Sequence, residues 1–341
     1  MINYLKGSGL LSFALFLMIP FYSCETDNDD PAVHFPATRV MSLCIDESGI
    51  VWAGTDAGII SCINGKWKEY KDIWNIPAGQ VNDIAFRNSG GGPEIWMATS
   101  NGAGVALYEP GTINSATSYT KEVSGLLDNR ISSVLVDALD ALWFATPAGL
   151  NLFRESKWYA ETAWGDLVKY PALSLGAKSD GWIFAGTSGL GVGRFKYEES
   201  IDGITGASYY NTDWTGLPSD TILSVYVDMN DNQWFGTPSG VAFHSGWETK
   251  TGWKVYTAVD GLVNNRVQAI MEDTKGIIWF GTANGVSSFD GENWQSYNVT
   301  DGLTDHCVND IAAASDGTIW FATNNGISTF SGTGWKSYSP D

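Results

Sequence analysis

From residue 40 onward, apolar and polar residues alternate in short runs bounded by Gly, Asp and Asn, and no run repeats its apolar positions at helical spacing. Residues 267–297 show the pattern most cleanly. Val267-Gln268-Ala269-Ile270 reads as a first strand, a, followed by Asp273-Thr274-Lys275-Gly276, a tight turn whose glycine suits a positive φ. Ile278 to Thr282 makes a second strand, b, and Val286 to Phe289 a third, c; past the Asp290-Gly291 turn, Trp294 to Tyr297 makes a fourth, d.

That unit recurs along nearly the whole chain. Its b strand is anchored by Trp52, Trp96, Trp143, Phe184, Trp234, Trp279 and Trp320, each followed two residues later by Gly or Ala and then by Thr. The seven anchors are spaced 44, 47, 41, 50, 45 and 41 residues apart, a period that belongs to propellers, solenoids or arrays. Phe184 replaces Trp in the fourth copy, where the glycine expected three residues after the Thr is read one residue early, at Gly189. Four short antiparallel strands per repeat make one blade, so the chain is predicted to be all-β, a single seven-bladed β-propeller with blades starting near 40, 81, 131, 172, 222, 267 and 308. The small residue two positions after each b-strand aromatic lies on the same face and leaves room for the neighbouring blade.

A second aromatic register lies on strand d, as Trp67/Tyr70, Trp253/Tyr256, Trp294/Tyr297 and Trp335/Tyr338, with Trp158 lacking the Tyr. The two registers place eleven of the sixteen Trp in the core rather than in a binding platform. Crossovers from strand d to the next strand a share an apolar residue five positions before each first strand: Phe35, Ile76, Leu126, Leu167, Leu217, Leu262 and Leu303. Phe35 already follows this pattern and Tyr338 completes a d strand, so blades one and seven are expected to meet without sharing strands.

The ends and the charge add a location. Residues 1–23 carry one charge, Lys6, and about 13 consecutive apolar positions, short of the roughly 20 that a membrane-spanning helix needs. They read as a signal peptide, and Ser23-Cys24 resembles a bacterial lipobox in which Cys24 becomes the lipidated first residue; an ordinary signal peptide with an incidental cysteine is the alternative. Residues 24–32 form an acidic tether that resembles the surface-export signal of Bacteroidetes lipoproteins, with a plain solvated spacer as the alternative, and residues 33–341 the propeller. Removing Lys6 leaves 18 Lys and Arg against 38 Asp and Glu, or −20, which disfavours nucleic acid and anionic lipid and leaves the lipid as the only membrane contact. The expected product is a monomeric outer-membrane lipoprotein, facing the periplasm or the exterior. The remaining Cys44, Cys62 and Cys307 allow at most one disulfide among themselves, show no metal-ligand spacing, and are expected to be buried; no cofactor is implied.

The succession Val-x-x-Ile, Asp-x-x-Gly, Ile-Trp-Phe-Gly-Thr-x-x-Gly-Val, Trp-x-x-Tyr and Asp-Gly-Leu resembles the two-component regulator propeller repeat over roughly residues 33–339. The resemblance implies kinship with periplasmic sensor regions of Bacteroidetes hybrid two-component systems, associated with polysaccharide breakdown products. Such sensors carry two propellers, a β-sandwich, a membrane span and a kinase, so one propeller does not carry kinase signalling over.

Candidate chemistry concentrates where crossovers reach the central channel. Immediately before the first strands stand Arg39, Gln80, Arg130, Pro171, Thr221, Arg266 and Cys307, so three of the six arginines share one register. One residue earlier lie Asn129, Tyr170, Asp220, Asn265 and His306, and Trp74, Trp164 and Trp214 open the same crossovers outside both core registers. Indoles that stack on sugar rings beside Arg and Asn donors would suit an oligosaccharide or polysaccharide. The competing reading is structural: Trp covering loop ends and Arg paired with local acids. A scaffold for an envelope protein is the alternative function and would show a broad apolar patch. Architecture also loosely resembles streptogramin-type lyases, which use a His and a divalent metal; here only His306, of His34, His244 and His306, lies beside the channel, and no nucleophile–base pair is visible, so no catalytic activity is expected.

Overall fold

The computed structural model describes residue 35 and residues 39–70, 79–161, 170–213, 216–246 and 252–339. The expected signal peptide, the tether, Cys24, His34, Ile76, Leu167, Trp74, Trp164 and Trp214 lie outside the described residues. Seven four-stranded antiparallel sheets follow one another, each built from four consecutive strands, so the chain is a seven-bladed β-propeller in which no blade mixes strands from the two ends.

First strands run over Val40–Ile45, Val81–Ser89, Ser133–Val136, Ala172–Ala177, Ser224–Val227, Val267–Glu272 and Val308–Ala313. They contact one another in sequence all the way round, which makes strand a the innermost and its free edge the wall of the channel. In blades 3 and 5 the strand starts two residues later than the repeat suggests. Ile131 and Ile222 donate their N–H groups instead to Thr99 and Thr187 of the preceding blade, at 2.9 and 2.8 Å.

The repeated residues each have a physical reason. The last five residues of every second strand, such as Ile278–Thr282, are buried, and the b-strand aromatic fills the space between blades: Trp279 stacks on Tyr297 of its own blade and meets Phe321 and Phe330 of the next. The small residue two places on is small because a Cβ at Gly281 would stand 2.8 Å from Val308 of the neighbouring blade. The following Thr closes the b–c turn: the Thr282 hydroxyl donates to the Gly285 carbonyl at 2.7 Å and accepts the Asn284 N–H at 3.1 Å, and every blade repeats the bond. In blade 4 the hydroxyl of Thr187 reaches Gly191, not Gly189. The turn is therefore one residue longer than the others, and Gly191 is the equivalent glycine, which corrects the assignment to Gly189.

The acid of the a–b turn is equally specific. One oxygen of Asp273 accepts the Lys275 and Ile277 N–H groups and the other accepts Trp279 Nε1 at 3.0 Å; Asp137 and Asp228 do the same for Trp143 and Trp234. Blade 7 has Ala314 at this position, and Trp320 Nε1 is buried without a hydrogen-bond partner among the described residues.

Between blades, the d-strand Trp of one lies against the d-strand Tyr of the one before: Trp294 on Tyr256, Trp335 on Tyr297, Trp253 on Tyr210 and Trp158 on Tyr119. Tyr119 and Tyr210 complete the Tyr register in blades 2 and 4, pairing with Ala103 and Val192 where Tyr297 pairs with Val286. Trp67 of blade 1 meets Tyr338 and Trp320 of blade 7 in the same way, which closes the ring. The described crossover apolar residues Phe35, Leu126, Leu217, Leu262 and Leu303 are all buried. Cys44 and Cys307 are free thiols, and buried Cys62 is disulfide-bonded. Cys44 and Cys307, both expected in the interior, are half-buried; desolvation still pushes the Cys44 thiol up to about 12, and Cys307 sits at the channel mouth.

Candidate functional site at the channel mouth

The crossovers are pinned at the mouth by backbone bonds, and this fixes where their side chains stand. Within a blade, the carbonyl just before the first strand accepts an N–H from the b–c turn: Arg39 from Asp56, Gln80 from Ser100, Pro171 from Ser188 and Arg266 from Ala283, at 3.0–3.3 Å. Between blades, the carbonyl one residue earlier accepts from the preceding blade's turn glycine: Asp220 from Gly191, Asn265 from Gly240 and His306 from Gly285, at 2.8, 2.8 and 2.6 Å. The crossovers into blades 6 and 7 carry both bonds, Cys307 accepting from Asn324 at 3.4 Å, and are thus tied to two blades. The rim is a ring of positions held by main chain, and only its side chains vary.

Those side chains divide into two sets. Asn129 and Asn265, read from sequence as binding residues, hold the loops: their Oδ1 atoms accept the Lys121 and Ala258 N–H groups, both at 2.7 Å, and Asn129 Nδ2 donates to Glu122. Asp128, Asn264 and Asp305 accept the N–H two residues on, an Asx turn that sets the entry into strand a. Arg130 forms a two-point pair with Asp128, Nε to Oδ1 and Nη2 to Oδ2, both 3.1 Å, and this pair holds the Asp128 carboxyl below its ordinary range. Tyr170 lies along the longer b–c turn of blade 4, its ring 3.1 Å from where a Gly189 Cβ would be. Arg39, Arg266 and His306 are exposed, and neither arginine pairs with a carboxylate among the described residues. Arg266 Nε donates to Gln268 Oε1 at 3.3 Å.

Below the rim, the second residue of strand a sits in a β-bulge in blades 1, 2, 4, 6 and 7, which re-aims it away from the ladder. Several of these residues reach the first strand of the next blade: Asn82 to the Ile131 carbonyl at 2.7 Å, Gln268 to Val308 at 3.4 Å and Asn309 to Val40 at 2.8 Å, with Ser132 reaching Ala172 at 2.6 Å. The third residue does likewise where it is acidic. Asp83 accepts Ser133 Oγ and the Val134 N–H, and Asp310 accepts the Leu43 N–H at 2.7 Å. Burial raises Asp83 to about 6, and burial together with the charge of Asp83 raises Asp310 to about 7. Sequence reasoning passed over this inner belt, although a column-by-column comparison of the repeats picks out Asp83 and Asp310 where other blades have Ser or Ala.

The two other histidines do not join His306. His244 is buried in blade 5 against Trp253, its Nδ1 accepting the Gly246 N–H at 3.3 Å, and His34 lies outside the described residues. Among the described residues no three His, Cys, Asp or Glu side chains gather as a metal site, and no helix is long and apolar enough to cross a membrane.

Two segments, residues 261–284 and 302–325, match the two component regulator propeller family, so the chain carries repeats of this type in blades 6 and 7. A search of curated proteins returns no match. Among solved structures, the chain is similar to the extracellular domain of a hybrid two component system from B. thetaiotaomicron, with a TM-score of 0.60 and 18% identity over 88% of this chain and 46% of that one. It spans less than half the length of that sensor domain. It is also similar to an inactive variant of virginiamycin B lyase from Staphylococcus aureus solved with quinupristin, with a TM-score of 0.62 and 17% identity over 84% of this chain and 92% of that one. A third similarity is to PorZ, a bacterial surface component of the type-IX secretion system of Porphyromonas gingivalis, with a TM-score of 0.53 and 17% identity over 90% and 48% of the two chains. At these identities the likeness is one of fold.

Proposed function

From two component regulator propeller repeats carried on a closed seven-bladed ring, we propose that this chain is a non-catalytic, ligand-binding lipoprotein that takes a glycan on its crossover face. The observation that carries the reading is the rim itself. Main-chain bonds hold Arg39, Arg266 and His306 in place, and these three stand exposed with no carboxylate pairing the arginines among the described residues. Trp74, Trp164 and Trp214, at the start of crossovers feeding this rim, would supply stacking faces for sugar rings. The scaffold alternative calls for a broad apolar patch. The most exposed large apolar residues, Val123, Leu139, Ile201, Met229 and Val259, instead sit singly on separate connections.

A thermal-melt screen against neutral and acidic oligosaccharides tests the reading. Ligand at 100 times its dissociation constant stabilises the fold by about 2.7 kcal/mol, and the shift should disappear in Trp214→Ala or Arg266→Ala. Unchanged melts across a broad panel would favour the scaffold. The anchor has its own test: mass spectrometry of the membrane-extracted chain is expected to find lipid on Cys24, and a chain that begins upstream of Cys24 or carries that cysteine without lipid would overturn the anchor.

A further inference from the structure

Resting on the glycan reading above, we infer that the sugar is anionic and that its carboxylate or sulfate is received on one sector of the rim, formed by blades 6, 7 and 1. The three first strands of this sector, Val267–Glu272, Val308–Ala313 and Val40–Ile45, are neighbours in the ring. Their crossovers end in Arg266, His306-Cys307 and Arg39.

Charge bookkeeping singles out this sector. The chain carries a net charge of −19, so its cations have an excess of carboxylates to pair with, and on the same rim Arg130 does so through two parallel bonds to Asp128. Among the described residues, Arg39 and Arg266 do not. At the corresponding place on its crossover Arg266 has Asn264, and blade 7 has Asp305, whose Oδ1 is taken by the Cys307 N–H. The nearest acid on the blade 1 turn is Asp56, whose N–H bonds the Arg39 carbonyl. A planar guanidinium whose donors meet no acid is suited to an oxyanion supplied from outside, which it can hold by two parallel bonds.

The second observation is a polar chain beneath the rim, which orients Arg266 at its blade 6 end. Arg266 Nε donates to Gln268 Oε1, Gln268 Nε2 lies 3.4 Å from Cys307 Sγ, and Asn309 Nδ2 ties Asn324 Oδ1 at 3.0 Å to the Val40 carbonyl at 2.8 Å. The chain runs from blade 6 through blade 7 to blade 1, so the sector is braced as a unit. Elsewhere the wall changes character: the second strand-a residue is Leu173 in blade 4 and Leu223 in blade 5, and the rim residues above them are Pro171 and Thr221. An anion would find its receptive side at blades 6, 7 and 1; across the mouth the inner wall is apolar and the blade 5 rim carries an acid, Asp220.

Cys307 makes the sector directly readable, since its free thiol is half-buried at the mouth between Gln268 and Asn309. The experiment uses the full chain in detergent with two matched pairs of probes: an oligogalacturonide against its fully methyl-esterified form, and a sulfated galactan fragment against its desulfated form. Calorimetric titration is expected to show at least one acidic member binding about tenfold tighter than its neutral partner. That preference should fall in Arg39→Gln and in Arg266→Gln, and the bound acid should slow alkylation of Cys307, read by peptide mass. Both substitutions replace exposed side chains, and melting curves verify that the fold is kept. Which pair discriminates tells carboxylate from sulfate. Equal binding of acidic and neutral forms would overturn the anionic inference while leaving the glycan reading standing. An acid preference that survives both substitutions, with Cys307 unprotected, would place the anion elsewhere and overturn this sector. Absence of binding to all four probes would remove both.

Discussion

At the scale of the residue, a motif position in this fold is a set of hydrogen bonds, and the exceptions show what each bond contributes. The a–b turn of blade 7 has the backbone of its counterparts, with Ala314 N–H donating to Thr318 and Gly317 N–H to Ala314 as Asp273 and Gly276 do in blade 6, but it lacks the acid. Ala314→Asp should therefore give Trp320 Nε1 the acceptor that Trp279 has, raising stability by about 1 kcal/mol, the net worth of one such bond. A chemical denaturation curve with unchanged slope and a higher midpoint would show it; a lower midpoint would mean that burying the carboxylate costs more than the indole bond returns. The opposite sign operates at Asp83 and Asp310. Their folded values, about 6 and about 7, lie above the ordinary 3.8, so the folded state keeps protons that the unfolded chain has released. Their contribution is greatest below about pH 4, falls as pH rises through 6 and 7, and is then constant. Taken alone, the shifts correspond to on the order of 3 kcal/mol for Asp83 and 4 kcal/mol for Asp310. Acids held low by local bonds, such as Asp128 and Asp290, act only as pH falls below about 4 and leave this window clear. Melting temperature should decline between pH 4.5 and 7.5, and Asp310→Asn should flatten the slope, because an amide oxygen still accepts the Leu43 N–H. A flat wild-type profile would sink the prediction.

At the scale of the element, what could be read from sequence was what recurs locally. The b-strand aromatic, the small residue, the Thr and the Asp-Gly-Leu crossover each sit at fixed distances from one another, and the structure explains the crossover as well: a Cβ at Gly302, which has a φ of +136°, would stand 2.3 Å from Trp335 of the next blade. Where loop length drifts, counting fails. Gly189 is nearer to Thr187 in sequence, but the hydroxyl selects Gly191, and the d strands of blades 2 and 4 carry no Trp, which hides Tyr119 and Tyr210 from a Trp-x-x-Tyr pattern. The rim shows a different limit. Arg130 could have been recognised as occupied from Asp128 two residues before it, and Asn129 and Asn265 as turn residues from their place near the end of a crossover. The inner belt was hidden because its partners are far apart in sequence: Asn82 bonds a residue 49 positions away and Asp310 one 267 away.

At the scale of the molecule, the seam between blades 7 and 1 differs from every other seam in one respect. Blades 5 and 6 are packed by Trp294 against Tyr256 and are also joined by a crossover, whereas blades 7 and 1 are joined by contacts alone. Those contacts are Trp67 against Trp320 and Tyr338, with Phe35 against Trp67, and beneath them Asn309 to the Val40 carbonyl and Asp310 to the Leu43 N–H. Removing a large aromatic from either place forfeits similar packing, about 3–5 kcal/mol. The consequences should differ, because a crossover keeps its two blades at high effective concentration after the packing is lost, and the closing seam has no such tether. Trp67→Ala is thus expected to lower the melting temperature more than Trp294→Ala. It should also speed amide exchange in Val40–Ile45 and Val308–Ala313 ahead of the rest of the ring, while Trp294→Ala confines its effect to blades 5 and 6. Equal melting temperatures, with exchange rising evenly around the ring, would show instead that closure is no weaker than any tethered seam. The rim sector of blades 6, 7 and 1 straddles this seam, so loosening it by Trp67→Ala should weaken an anion held between Arg266 and Arg39 without touching either arginine.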